Sequence, residues 1–403
     1  MRLKIGEHEH EQQQQQEGNM TLFTPLKCGT FKLSHRIVMG PMTRCRSYGS
    51  IPQPHVALYY SQRATQGGLI ITEATAISPT ADGYLSAPGI WTQEQVEGWR
   101  PIVETVHRKG GVFICQLSHV GRRSHTSFQP NDGQPISSTS KPIQGSKLKA
   151  ADGSLEPYST PRALKTEEIH EVIEDYVSAA KNAISAGFDG VELHGANGYL
   201  LDQFMKDGVN DRTDQYGGPI PNRASFVLEV VEAVANAIGK DRVGIKLSPY
   251  ADSWDAGDSD PTALGVYMAE RLSDMGILYV ALQEARVQND GLDESRMESV
   301  WPFRSAFKGL FFVGGGYTRQ EGMEAIKSGK ADAVVYAHVF LANPDLPRRF
   351  ALSTDPLLNE PNFDTLFSSH PVVGYTDYPF LDEDDLEFDP NNEKTKVKAV
   401  QLQ

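Results

Sequence analysis

The chain alternates short apolar runs with longer stretches whose apolar residues recur at helical spacing. Eight runs read as strands: Ile37 to Met39, Leu69 to Thr72, Val112 to Leu117, Val191 to His194, Val243 to Ser248, Leu278 to Leu282, Leu310 to Val313, and Ala333 to Tyr336. Between them lie helical patterns. The stretch Thr166 to Gly187 carries Glu167 and Glu168 in its first turn and closes on a glycine, and Asn222 to Gly239 behaves likewise. Eight strands alternating with helices predict a parallel sheet, and eight is the number that closes into a barrel: an α/β fold of the (β/α)8 TIM type. The long stretches without periodicity, Gly121 to Arg162 and Gln283 to Pro302, are then inserted rim loops over a substrate.

Composition narrows the picture. With 39% hydrophobic and 22% charged residues, the chain matches globular proteins, and no apolar run reaches the roughly 20 residues that span a bilayer. The net charge of −14 offers no basic stripe, so neither a nucleic acid nor a membrane is expected as partner. Cys28, Cys45 and Cys115 have no CxxC spacing, which predicts neither disulfides nor zinc and suits a reducing compartment. Residues 1–20, rich in Glu, His and Gln, read as a disordered extension, residues 21–381 as the barrel, and 382–403 as a disordered acidic tail. His8 and His10 in that extension make a poor metal site, and none is expected. The final residues, Val400 to Gln403, are unlike a Ser-Lys-Leu peroxisomal address, so a cytoplasmic protein is expected, as a monomer or weak homodimer.

In a barrel, chemistry gathers where strands end. The fourth run leads from Val191-Glu-Leu into His194, Asn197 and Tyr199, two hydrogen-bond donors and a phenol. The first delivers Pro41, Met42 and Thr43, whose hydroxyl can donate to a ring carbonyl beside a proline that leaves the backbone open for a planar ligand. Ala74 after the second run permits close approach of a flat ring, and the Gln116 amide suits the edge of a pyrimidine-like ring. The seventh runs into Gly314, Gly315 and Gly316 before a helix, where backbone N–H groups and the helix dipole can receive a phosphate; a simple tight turn accounts for the same glycines. These glycines do not form the GxGxxG dinucleotide pattern.

Three longer motifs are specific. The segments from His194 to Phe204, Asn210 to Gly218 and Pro371 to Phe380 resemble the plant 12-oxophytodienoate reductases of the old yellow enzyme family, and the resemblance runs from about Leu22 to Leu381. It implies an FMN-dependent ene-reductase that takes hydride from NADPH and reduces the C=C bond of α,β-unsaturated carbonyls, including oxylipins such as 12-oxophytodienoate of the jasmonate type. By the same resemblance, His194 and Asn197 bind the substrate carbonyl and Tyr199 protonates the α-carbon. Pro41, Met42, Thr43, Ala74, Gln116, Lys246, Gly315, Gly316, Ala337 and His338 fall at flavin positions, and Arg286 falls on the substrate side, where a surface salt bridge accounts for it equally well.

The chain departs from that family at several of these places. Lys246 stands where arginine is usual; lysine keeps the charge and loses the planar fork, which predicts looser flavin or a shifted potential. Ala337-His338 replaces Gly-Arg at the phosphate end, Ser118 replaces a tryptophan and is expected to enlarge the pocket, and Asn197 replaces the histidine of several plant members. Two other readings compete. One is a weakly active or non-catalytic paralogue that binds flavin or oxylipin without efficient turnover, and the other is a barrel aldolase with Lys246 as Schiff base.

Overall fold

The structure, a computed structural model, describes residues 21–285, 287–288, 291–292, 299–353 and 356–381 of the 403-residue chain. The expected tails 1–20 and 382–403 lie outside the described residues.

Eight parallel strands close the barrel: β1 (Ile37–Met39), β2 (Leu69–Ile71), β3 (Val112–Ser118), β4 (Gly190–Gly195), β5 (Val243–Leu247), β6 (Tyr279–Gln283), β7 (Leu310–Gly314) and β8 (Ala333–Tyr336). Each pairs with the next, and β8 pairs with β1 to shut the ring. All eight predicted runs are thus found, within a residue or two at each end. Helices α1 (Pro54–Arg63), α2 (Gln93–Arg108), α3 (Ile169–Ala186), α4 (Ile220–Ile238), α5 (Pro261–Met275), α6 (Trp301–Ala306) and α7 (Arg319–Lys327) fill the connections. Two of them show why the sequence folds this way. Thr92 and Gln95 form a capping box that starts α2, whose buried Val96, Trp99, Ile102, Val103 and Val106 make one stripe. Gly187 stops α3 at φ +104°, a left-handed conformation in which a side chain would be strained.

Alternate residues of each strand face opposite ways, and the two sets form separate cores. Outward residues such as Val191, Leu193, Ile245 and Val313 pack under the helices. Inward residues Val38, Leu69, Ile71, Ile114, Tyr279 and Phe312 join Leu26, Cys28 and Leu33 of a small hairpin, Leu26–Cys28 with Phe31–Leu33. That hairpin floors the barrel, so its interior opens at the carboxyl ends of the strands.

The long stretch 121–162 carries a hairpin, Lys147–Lys149 with Leu155–Pro157, and a two-strand parallel contact between Ile136–Ser137 and Arg162–Ala163. A segment from Thr365 to Tyr375 crosses the rim over β1. Arg44 donates to the Gly374 carbonyl at 2.6 Å, Arg46 donates to the carbonyls of His370 at 2.9 Å and Thr365 at 3.0 Å, and Tyr375 stacks on Tyr59 at 4.2 Å.

Candidate active site

The turn that follows β4 is built by its polar neighbours. Asn197 adopts φ +58°, which asparagine tolerates better than most residues, and its N–H donates to Ser248 Oγ at 2.8 Å. Gly198 follows at φ +75°; a Cβ there would meet the Ser253 carbonyl oxygen at 2.4 Å. Its N–H donates to Asp202, which forms a fully buried 3.0 Å ion pair with Lys206, and Lys206 in turn donates to the Ser248 and Ala251 carbonyls. This fixed loop swings Tyr199 back against His194, with ring centroids 4.7 Å apart.

His194 is buried, and its Nδ1 has no hydrogen-bond partner. Burial, and then the nearby Lys246 charge, hold the imidazole well below its usual range, so it is neutral at pH 7. A buried, unpaired donor or acceptor carries a desolvation cost of about 1–3 kcal/mol that a ligand atom would remove.

Below His194 lies a charged layer on the barrel axis. Glu192 and His194 sit two apart on β4 and so share the inward face. Gln116 Nε2 donates to Glu192 Oε1 at 2.8 Å, and the Tyr279 hydroxyl donates to Oε2 at 2.9 Å. Lys246 is the β5 register partner of His194. Burial raises the Glu192 carboxyl while Lys246 lowers it, and burial lowers Lys246 while Glu192 raises it. The Lys246 ammonium makes no hydrogen bond with any described residue, so its donors remain for a ligand.

At the far side of the mouth, β7 runs into Gly315 (φ +143°) and Gly316 (φ +79°). A Cβ on Gly315 would lie 3.0 Å from Glu284 Cβ and 3.1 Å from the Glu284 carbonyl oxygen, so only glycine fits this backbone. Thr318 then caps α7 through a capping box with Glu321. After β8, Ala337 is partly buried, and His338 is exposed and stands edge-on to Phe363 at 5.0 Å. Desolvation, then Lys246 and Arg44, lower its pKa; it is neutral at pH 7.

The predicted site residues therefore converge on one mouth, except that Arg286 lies outside the described residues. Pro41, Met42 and Thr43 end β1, Met42 is buried, and Ala74 follows β2. Ser118 shares with Thr43, Ala74, Tyr84 and Val120 a cavity with room for about one water. The Arg123 guanidinium, 4.1 Å over Tyr84, fills the neighbouring space. Sequence reasoning missed Glu192, Tyr84 and Arg123. Only Glu192 left a signal, an acid two positions before His194 inside an apolar strand.

The pattern of the NADH:flavin oxidoreductase / NADH oxidase family matches residues 21–354. The chain belongs to this family. It is 54% identical over 364 residues to 12-oxophytodienoate reductase 2 of Arabidopsis thaliana, covering 90% of this chain and 96% of that one. It is 55% identical over 370 residues to 12-oxophytodienoate reductase 1 of Oryza sativa subsp. japonica, covering 91% and 94%. Among solved structures, morphinone reductase in complex with tetrahydroNAD superposes with a TM-score of 0.84 at 46% identity, covering 91% of this chain and 99% of that one. The old yellow enzyme homologue from Zymomonas mobilis gives 0.85 at 38% identity, covering 90% and 100%. These barrels share the fold described above, and membership makes the chain an oxidoreductase of the flavin-dependent kind.

The donor set suits the family's FMN. Thr43 has a hydroxyl, Lys246 an ammonium and Gln116 a carbonyl oxygen without a hydrogen-bond partner among the described residues. Among the described residues no helix is long and apolar enough to cross a membrane, and no group of three or more His, Cys, Asp or Glu is placed to hold a metal.

Proposed function

We propose that this protein is an FMN-dependent ene-reductase that uses NADPH to reduce the C=C bond of α,β-unsaturated carbonyls, with oxylipins such as 12-oxophytodienoate as its natural class. The observation that carries this reading is the buried, unpartnered Nδ1 of neutral His194, set beside Asn197 and the Tyr199 phenol. FMN, when bound, supplies the hydride that reaches the β-carbon. Thr43, Ala74, Gln116 and Lys246 would hold its ring, with Pro41 and Met42 beside them, and Gly315, Gly316, Ala337 and His338 its phosphate end.

The chain's own groups then do three things. Neutral His194 and the Asn197 amide donate to the substrate's carbonyl oxygen, where negative charge develops, and fixed donors of that kind are worth roughly 10²–10³ in rate. Tyr199 gives its phenolic proton to the α-carbon. Lys246 keeps a positive charge beneath the ring site without an arginine's two-pronged contact. The oxylipin assignment draws on the names of the plant relatives, and Arg286 is assigned to the substrate side by resemblance to them. The neutral His338, with Lys246 and Ala337 in place of the family's usual residues, favours the alternative, a weakly active paralogue. Anaerobic reduction of the bound flavin by NADPH and by NADH, followed by each isomer of the cyclopentenone, tests the proposal. Rapid reoxidation by one isomer is expected; reduced flavin that no enone reoxidises would overturn it.

A further inference from the structure

The rim holds a cation that the proposed chemistry leaves unused. Arg123, in the loop after β3, is only 8% exposed. Its guanidinium carbon lies 4.1 Å from the Tyr84 ring centroid, 4.5 Å from Trp254, 5.8 Å from Tyr199 and 5.9 Å from Tyr158. No described carboxylate pairs with it, and its Nε and Nη1 are buried without partners. Ring faces alone are weak compensation for a desolvated charge. Tyr84 links this cation to the site: its hydroxyl is 2.5 Å from that of Tyr199. Asp82 Oδ1 accepts from the N–H groups of Gly83 and Tyr84, and the Tyr84 ring stacks on Phe367 at 5.7 Å, so the link is held in place. The order in space is Arg123, Tyr84, Tyr199, His194.

We propose that Arg123 is a positioning residue for proton delivery by Tyr199: acting through the Tyr84 hydroxyl, its charge stabilises the phenolate that Tyr199 becomes when it protonates the substrate. The inference rests on the reading of Tyr199 as the proton donor. In that step the enolate electron pair forms the new Cα–H bond, the Tyr199 O–H bond breaks, and its electron pair stays on oxygen. The reductant is the hydride already delivered to the β-carbon. Tyr84 then donates to the phenolate, or passes its proton across and carries the charge nearer to Arg123, until solvent returns a proton.

The other groups around the pair do not duplicate this charge. Tyr158, Cys45 and neutral His194 face the two phenols, Asp82 anchors the Tyr84 turn, and the Lys246 field falls on His194 and His338. Burial raises Tyr84, and Arg123 is the group that opposes it. Charges about 4–6 Å apart near a protein surface interact strongly enough to change a proton-transfer rate by about tenfold or more.

The test uses the full chain loaded with FMN and reduced with NADPH, in wild type, Arg123→Leu, Arg123→Lys and Tyr84→Phe. Each is mixed anaerobically with cyclohexenone, whose reduction needs a proton on carbon, or with ferricyanide, which takes electrons alone. In Arg123→Leu and Tyr84→Phe the ratio of enone to ferricyanide rates is expected to fall about tenfold. The solvent deuterium effect should grow and the alkaline limb of the pH profile should move upward, with partial recovery in Arg123→Lys. If Arg123→Leu does not fold, Tyr84→Phe, which loses one oxygen, decides alone, and ultraviolet titration of tyrosinate reads the same upward shift. A ratio and pH limb within about twofold of wild type in Tyr84→Phe, with normal wild-type enone reduction, would overturn this proposal by itself. A wild-type protein that reduces ferricyanide and no enone would overturn the reading of the site and this proposal with it.

Discussion

Replacing His338 by arginine should tighten FMN without changing how the isoalloxazine is held. His338 stands after β8, where the proposed function puts the phosphate, solvent-reached and neutral, with Phe363 5.0 Å away. A fixed cation about 4 Å from a phosphate contributes between ~1 kcal/mol in water and ~4 kcal/mol at a partly shielded surface; this mouth lies between, so ~3 kcal/mol is a reasonable gross gain. Ordering a long side chain and losing the ring contact to Phe363 together offset about 1.5 kcal/mol. The net, about 1.5 kcal/mol, is roughly a tenfold lower Kd. Titration of the deflavinated protein with FMN, followed by quenching of flavin fluorescence, measures it, with riboflavin as a control that lacks the phosphate. The sign with pH is also set. A phosphate raises the pKa of His338 on binding, so wild-type affinity should climb as pH falls below the phosphate-bound pKa and level off below the lowered pKa of the free site, and His338→Arg should lose that climb. An unchanged Kd, or equal gains for FMN and riboflavin, would refute the reasoning.

Three further outcomes are expected. Tyr199→Phe should slow reoxidation of reduced enzyme by an enone about 10²-fold or more while ferricyanide still reoxidises it, read by stopped flow. Burial pushes Glu73 up to about 7. An unfolded Glu ionises at about 4.3, so wild-type stability is unaffected by this group below that pH, falls as pH rises toward 7, and stays lower above it by about 4 kcal/mol. Glu73→Gln should flatten the fall in denaturant titrations across that window; parallel curves would remove Glu73 as its source. Gly315→Ala, forced to φ +143° with its Cβ 3.0 Å from Glu284 Cβ, should cost about 1–3 kcal/mol in unfolding free energy, and a Tm equal to wild type would contradict the geometry.

The barrel was legible because parallel strands are covered on both faces and read as continuous apolar runs, as in Val112 to Leu117. The helix ends were legible where Gly187 and Gly239 reach positive φ. The floor hairpin was not, since Leu26–Cys28 and Phe31–Leu33 are three-residue strands without a readable period. The site residues at strand ends could be named from local pattern and family resemblance, but their electrostatics could not. Lys246 acts on Glu192, His194 and His338 from strands far apart in sequence, and the Arg46 contact to Val373 spans 327 positions. Arg123 shows the limit most plainly. In sequence it is one basic residue of a loop expected at the rim, and only the fold sets it over Tyr84 and two residues of contact away from the His194 imidazole.

The central claim is that an isoalloxazine lies at this mouth facing His194, Asn197 and Tyr199. Its most direct test is a single turnover on purified protein soaked in FMN, freed of excess flavin, reduced anaerobically and mixed with one equivalent of cyclohexenone. The account predicts a yellow protein whose reduced form is reoxidised stoichiometrically, and more than about 10²-fold more slowly in Tyr199→Phe. A protein that stays colourless after the soak, or a Tyr199→Phe variant that reoxidises as fast as wild type, would contradict it.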